Sequence, residues 1–143
     1  MVLVVTPIAP GTVLAPYSLG LPRLVSELAP SVRCRELNIN MNRARLQRMF
    51  MGDYFPLYEF VLLLDSDVVV TRETVDMLEK AWKPCTTPCA NTKGHETDHV
   101  VASCALIHRT DYSRIDYLSN IYECQCKKVP SPFYVDGAIG SEI

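Results

Sequence analysis

Residues 61–70 read VLLLDSDVVV: an apolar run is broken by Asp65 and Asp67 and resumes as Val68, Val69 and Val70. With Phe60 in front, the run up to Leu64 is continuously apolar, as expected of a central parallel strand covered on both faces. The two acids stand where that strand leaves the sheet, and open α/β sheets bind ligands at the carboxyl ends of their strands. On an extended chain, residues two apart point the same way, so Asp65 and Asp67 face one cation or one polar ligand while Ser66 turns aside. Such oxygen ligands suit Mg²⁺ or Mn²⁺, which take one or two carboxylates and fill their shell with water and substrate phosphates. The plainer reading is that Asp65 ends the strand and Asp67 begins a turn toward a helix at Thr71. The valines beyond the acids keep the β character going and favour the ligand reading.

Outward from this strand, apolar runs alternate with helix-like segments, the pattern of a single α/β domain over residues 1–143 with a mainly parallel sheet flanked by helices. MVLVVTPI is a β-rich run closed by prolines, and LPRLVSELA carries Leu21, Leu24, Val25 and Leu28 at helical spacing. VRCRELNI reads as a weaker strand. MNRARLQRMFMGDYF reads as a basic helix stopped near Gly52, with the strand EFVLLLD following Pro56. Thr71 has the character of an N-cap, and RETVDMLEKAW sets Val75, Leu78 and Trp82 on one face. VVASCALIH is another β-like run, and DYSRIDYLSNIYE a predicted helix.

The chain has 143 residues, 48% hydrophobic and 21% charged, enough for one domain that buries a sizeable core. Fourteen basic against sixteen acidic residues, net −2, provide no excess charge for a nucleic-acid backbone, so no nucleic-acid partner is expected. The apolar N-terminus has no basic leader, is broken by Pro7, Pro10 and Pro16, and falls short of the roughly 20 residues that span a bilayer. A cytoplasmic chain without a transmembrane segment is expected. Six cysteines stand against that setting as a disulfide set. Cys104, inside VVASCALI, reads as a buried thiol. Cys85 with Cys89, and Cys124 with Cys126, leave three readings open: free thiols, disulfides or one structural zinc.

FVLLLDSDVVVTRETVDMLEKAW resembles the Asp-x-Asp segment of the GT-A-fold nucleotide-sugar glycosyltransferases, in which a hydrophobic strand delivers the two acids and a short extended piece leads to a helix. VLVVTPIAP is similar to that family's first strand, whose end contacts the nucleotide. NRARLQRMF is similar to the arginine-containing helix before the Asp-x-Asp strand. VVASCALIHRTDYSRI is similar to a later strand and helix start, with Arg109 after the apolar run. FYVDGAIGSEI lies where the family carries its acidic catalytic segment, Asp136 being the match, without the acidic neighbour usual there.

The resemblance implies transfer of a sugar from a nucleotide-diphospho-sugar donor to a hydroxyl acceptor, with Mn²⁺ or Mg²⁺. Asp67 would hold the metal, and Asp65 would act on it through water or bind the ribose. Thr6, Pro7 and Ile8 would line the base and ribose pocket, mainly through backbone, with Ser66 beside them. One of Arg43, Arg45 and Arg48 would meet the diphosphate, Arg45 being the first choice. Asp136 would be the general base of an inverting reaction, a role that vanishes if configuration is retained. A second copy of the chain can complete the acceptor site, so a homo-oligomer is a further expectation. Two rivals come from other motifs. GTVLAPYSLGLPR, residues 11–23, resembles the sugar-nucleotidyltransferase signature, with Val13 where an arginine belongs. His95, Glu96 and His99 formally match H-E-x-x-H, but Gly94 and the flanking charges suit a polar loop better than a zinc helix. A non-catalytic nucleotide-binding module is the third alternative.

Overall fold

The computed structural model describes residues 1–8, 16–27, 35–84, 87, 100–101, 104–117, 121–124, 129–132 and 138–139. Its centre is a four-stranded sheet: β1 (Val2–Ile8), β2 (Arg23–Glu27), β3 (Phe60–Leu64) and β5 (Cys104–His108), in the order β2-β1-β3-β5. β1 runs parallel to both β2 and β3, whereas β5 lies antiparallel to β3. The sheet is thus mixed, with an antiparallel edge on a parallel core.

Alternation along the strands fills two cores. Leu3, Val5, Val61, Leu63, Ala105 and Ile107 face one side, where they meet Leu24 of β2, Leu46 and Phe50. Val2, Val4, Leu62, Leu64, Cys104 and Leu106 face the other and meet Val75 and Leu78. Burying each Val or Leu so fully contributes about 1.5–3 kcal/mol, which is why these strands read as unbroken apolar runs. The first side is covered by α1 (Arg35–Met49), the second by α2 (Arg72–Ala81). The Thr71 hydroxyl caps α2 by accepting from the Thr74 N–H at 3.3 Å. Trp82, at the other end of α2, stacks on His108 at 5.4 Å and meets Phe60 edge-on. α2 therefore runs from the aspartate end of β3 back to its start. Cys104 carries a buried thiol, as expected.

Four local expectations are corrected. LPRLVSELA forms β2 rather than a helix: its register with β1 runs from the Val4–Arg23 pair to the Ile8–Glu27 pair, with Leu24 and Ser26 buried. The same residues satisfy helical and alternating spacing, and a five-residue stretch behind Pro22 gains more from a ladder than from little more than one helical turn. The described part of VRCRELNI, from Arg35 onward, is not strand but α1, where Arg35, Glu36 and Leu37 are good helix formers and the turns beyond are anchored by Leu46 and Phe50. Gly52 does not stop that helix. A π-helical turn over Phe50–Tyr54 carries it on, with the Phe55 N–H donating to the Phe50 carbonyl at 2.8 Å, until Pro56 supplies no further donor. DYSRIDYLSNIYE is not one helix but α3 (Arg109–Tyr112), β6 (Ile115–Asp116) and β7 (Ile121–Cys124). Gln47 of α1 donates to both the Tyr112 and Ile115 carbonyls at 2.7 Å, occupying acceptors that a continuing helix would need.

β6, β7 and β8 (Val129–Pro132) form a small antiparallel sheet, and β4 (Val100–Val101) pairs with β9 (Ala138–Ile139). Cys85, Cys89, Cys126 and the His95, Glu96, His99 motif lie outside the described residues. Among the described residues, no helix is long and apolar enough to cross a membrane.

Candidate functional site

The sheet order β2-β1-β3 makes a topological switch: from β1 the chain moves to one neighbour and later returns on the other side. Ligands of open α/β sheets bind at the carboxyl end of such a switch point. Here the ladder between β1 and β3 ends at the Val5–Leu63 pair, while the ladder between β1 and β2 continues to Ile8–Glu27. Among the described residues, the last residues of β1 therefore have no strand beside them on the β3 side. Thr6, Pro7 and Ile8 thus stand past the last β1–β3 pair, and residues 65–67 leave β3 at the same end of the sheet.

The acids leave β3 through a tight turn rather than along an extended strand. The Val68 N–H donates to the Asp65 carbonyl at 3.3 Å, closing a turn over residues 65–68. The expectation that strand alternation aims both carboxylates one way is therefore corrected, and so is the reading of the valines as continued strand. Val68 and Val70 instead pack on the α2 side of the core, while Val69 is exposed, and the segment serves as a spacer to the α2 cap. Asp65 is half-buried and Asp67 exposed.

Among the described residues neither side-chain carboxylate makes a hydrogen bond or an ion pair within 4.0 Å. Burial pushes the Asp65 carboxyl above its ordinary 3.8; the Arg43 charge pulls it down, and the Asp67 charge pushes it further up. A half-buried carboxylate with a second acid beside it is relieved by a cation. The described residues gather no group of three or more His, Cys, Asp or Glu. Two carboxylates with the rest of the shell left to water and phosphate is the set that Mg²⁺ and Mn²⁺ accept, so the donor chemistry fits.

α1 and the π-helical turn that continues it present Asn42, Leu46 and Phe50 to the sheet, one turn apart, and this stripe brings Asn42 and Arg43 to the aspartate end. Asn42 Nδ2 donates to the Ser26 carbonyl of β2 at 2.9 Å, tying the helix to one side of β1. Arg43 acts on the other side, where its charge reaches both Asp65 and the buried Tyr117, whose phenol burial pushes up to about 12. The arginine whose charge acts on Asp65 is thus Arg43. Arg45 and Arg48 lie on the outer face of α1 and line a separate groove.

Thr6 is fully buried, and its hydroxyl accepts from Arg23 Nε at 3.0 Å, while the Arg23 guanidinium lies 4.7 Å from the Tyr17 ring. Its side chain is spent on the α2 side, which leaves only its backbone for a ligand at the end of β1. Arg109 is far from the aspartates: because β5 is antiparallel, His108 pairs with Phe60 at the opposite end of β3. There Arg109 Nη1 donates to the Phe55 carbonyl at 3.2 Å and its guanidinium lies 5.3 Å from the Phe55 ring, tying α3 to the π-helical turn. Asp136 and Glu142 lie outside the described residues. Sequence reading passed over Asn42 and Tyr117, although the helical spacing to Leu46 was the available signal for the former.

The sign of the Asp65 perturbation yields a test. Because its carboxyl is raised, the native state holds that proton to higher pH than the unfolded chain. Stability is then lost as pH rises from about 3.8 through the raised value, and the cost stays in full above it. Asp65→Asn should therefore melt higher than the wild type at pH 7 in metal-free buffer, the gain fading as pH falls through the raised value toward 3.8. Melting curves of both proteins across that range decide it; a lower melting temperature for Asp65→Asn at pH 7 would mark the carboxylate as a structural acceptor.

Compared with protein-family models, with curated proteins and with solved structures, the chain matches none of them.

Proposed function

We propose that this chain is a metal-dependent glycosyltransferase that takes its sugar from a nucleotide-diphospho-sugar. The observation that carries the reading is the pair Asp65 and Asp67 at the carboxyl end of β3, at the switch point, with no hydrogen bond or ion pair to their carboxylates among the described residues and with the Arg43 charge acting on Asp65. In this reading the nucleoside lies along the backbone of Thr6, Pro7 and Ile8. Arg43 faces the diphosphate, and Ser66 lies beside the ribose. Asp67, the exposed member, is a direct ligand of Mn²⁺ or Mg²⁺; Asp65, the half-buried one, acts through water or on the ribose. The metal would neutralise charge on the departing diphosphate. Asp136 is assigned the proton of the acceptor hydroxyl if the reaction inverts configuration.

A melting-temperature panel of UDP-, GDP-, ADP- and CMP-sugars, each with and without Mn²⁺, tests this directly. One nucleotide sugar is expected to raise the melting temperature only when Mn²⁺ is present. Shifts that ignore the metal, or no shift with any donor, count against the transferase. Pyrophosphate formed from a nucleoside triphosphate and a sugar phosphate would move the assignment to a sugar nucleotidyltransferase.

A further inference from the structure

On the outer side of α1, away from the sheet, a groove of about 580 Å³ runs between the helix and residues 113–117. Its size falls in the range of small-ligand sites. Met41, Arg45 and Arg48 follow one another at helical spacing on one wall, and Arg114 stands on the other. Among the described residues none of the three guanidiniums makes an ion pair, and Asp116 is the single acid lining the groove. Three cations against one anion among the described lining residues make a surface complementary to negative charge. Arg45 and Arg48 are separated by about 4.5 Å of helix rise and face a third arginine across the gap, which suits a ligand carrying more than one anionic group.

The two walls are held together before any ligand arrives. Gln47 reaches from α1 to the Tyr112 and Ile115 carbonyls, both at 2.7 Å, and the Arg114 N–H donates to the Asp111 carbonyl at 3.1 Å. The segment that carries Arg114 is therefore fixed against the helix that carries Arg45 and Arg48, and preorganisation of this kind lowers the cost of binding. Tyr117 lines the groove, and its phenol is under the charge of Arg43, the same charge that acts on Asp65.

We propose that this groove binds the acceptor, and that the acceptor is an anionic sugar bearing carboxylate or phosphate groups along its length. The acceptor role and the sugar rest on the transferase reading; the binding of an anionic ligand does not. Maltotriose, its phosphate ester and trigalacturonate, titrated separately into the full chain, distinguish charge from sugar shape and carboxylate from phosphate. The two anionic probes should bind, the neutral one should not, and raising the salt concentration should weaken binding steeply. Arg48→Ala with Arg114→Ala should lower the affinity for the anionic probes at least fivefold. Melting temperatures recorded beside the titrations show that this variant is folded, and Arg48→Lys with Arg114→Lys should retain most of the binding. Equal affinity for all three sugars, no binding of either anionic probe, or wild-type affinity in the alanine variant each overturns the proposal. Binding of trigalacturonate by a chain that responds to no nucleotide sugar would keep the groove and remove the transferase.

Discussion

Asp67→Ala is expected to abolish the Mn²⁺-dependent stabilisation by a nucleotide sugar while leaving the ligand-free protein almost unchanged. The side chain of Asp67 is exposed and makes no hydrogen bond or ion pair among the described residues, so its loss should cost the fold less than about 0.5 kcal/mol. A donor at one hundred times its Kd should stabilise the wild type by about 2.7 kcal/mol, roughly 10 °C for a domain of this size. Without a direct carboxylate ligand the cation is held by Asp65 alone, and donor affinity should fall on the order of a hundredfold or more. Melting curves and titrations with and without Mn²⁺ measure both effects. A donor response that survives Asp67→Ala would assign the metal to other residues, or the binding to contacts that need no metal.

That test is aimed at a position the sequence located better than it described. The apolar run ending at Leu64 marked a central strand because its residues serve two cores at once, and a strand buried on both faces can be neither amphipathic nor helical in pattern. The end of that strand, and the acids on it, were readable for the same reason. The shape of the turn was not: the valines look the same whether they extend a strand or return to the α2 side of the core, and the choice lies in packing on a cluster that includes Val4 and Leu106, both distant in sequence. The exchange of helix and strand over residues 21–40 has a similar origin. Leu21, Leu24, Val25 and Leu28 fit a helix, yet Leu24 and Ser26 fit a ladder with β1 equally well, and only the presence of β1 beside them decides.

The arginines show where local pattern runs out. The stripe of Asn42, Leu46 and Phe50 places Arg43 at the edge of the buried face and Arg45 outside it, a distinction available from helical geometry once the helix is known to lie on the sheet. Arg109 is a different case. Its place at the opposite end of β3 follows from the antiparallel direction of β5, and strand direction depends on connections rather than on the composition of VVASCALIH. A parallel β5 would have brought Arg109 to the aspartates. The antiparallel one turns it into a tie between the Phe55 carbonyl and α3.

Asp136→Asn is expected to separate chemistry from donor binding, the second large effect. Asparagine keeps the size and shape of aspartate but takes no proton at neutral pH, so a general base replaced in this way should lower turnover roughly a hundredfold or more. Donor affinity and its Mn²⁺ dependence should stay near those of the wild type, because in the proposed division of labour the donor is held by Asp67, Arg43 and the backbone at the end of β1. The contrast with Asp67→Ala is the decisive part: one variant loses binding, the other keeps binding and loses turnover. Titrations of both variants, beside rates of transfer or of donor hydrolysis, measure it. Equal loss of donor binding in both would make Asp136 a ligand or a structural acid. Full turnover in Asp136→Asn would leave Glu142 as the base or a reaction that retains configuration, in which no carboxylate takes the acceptor proton in that way.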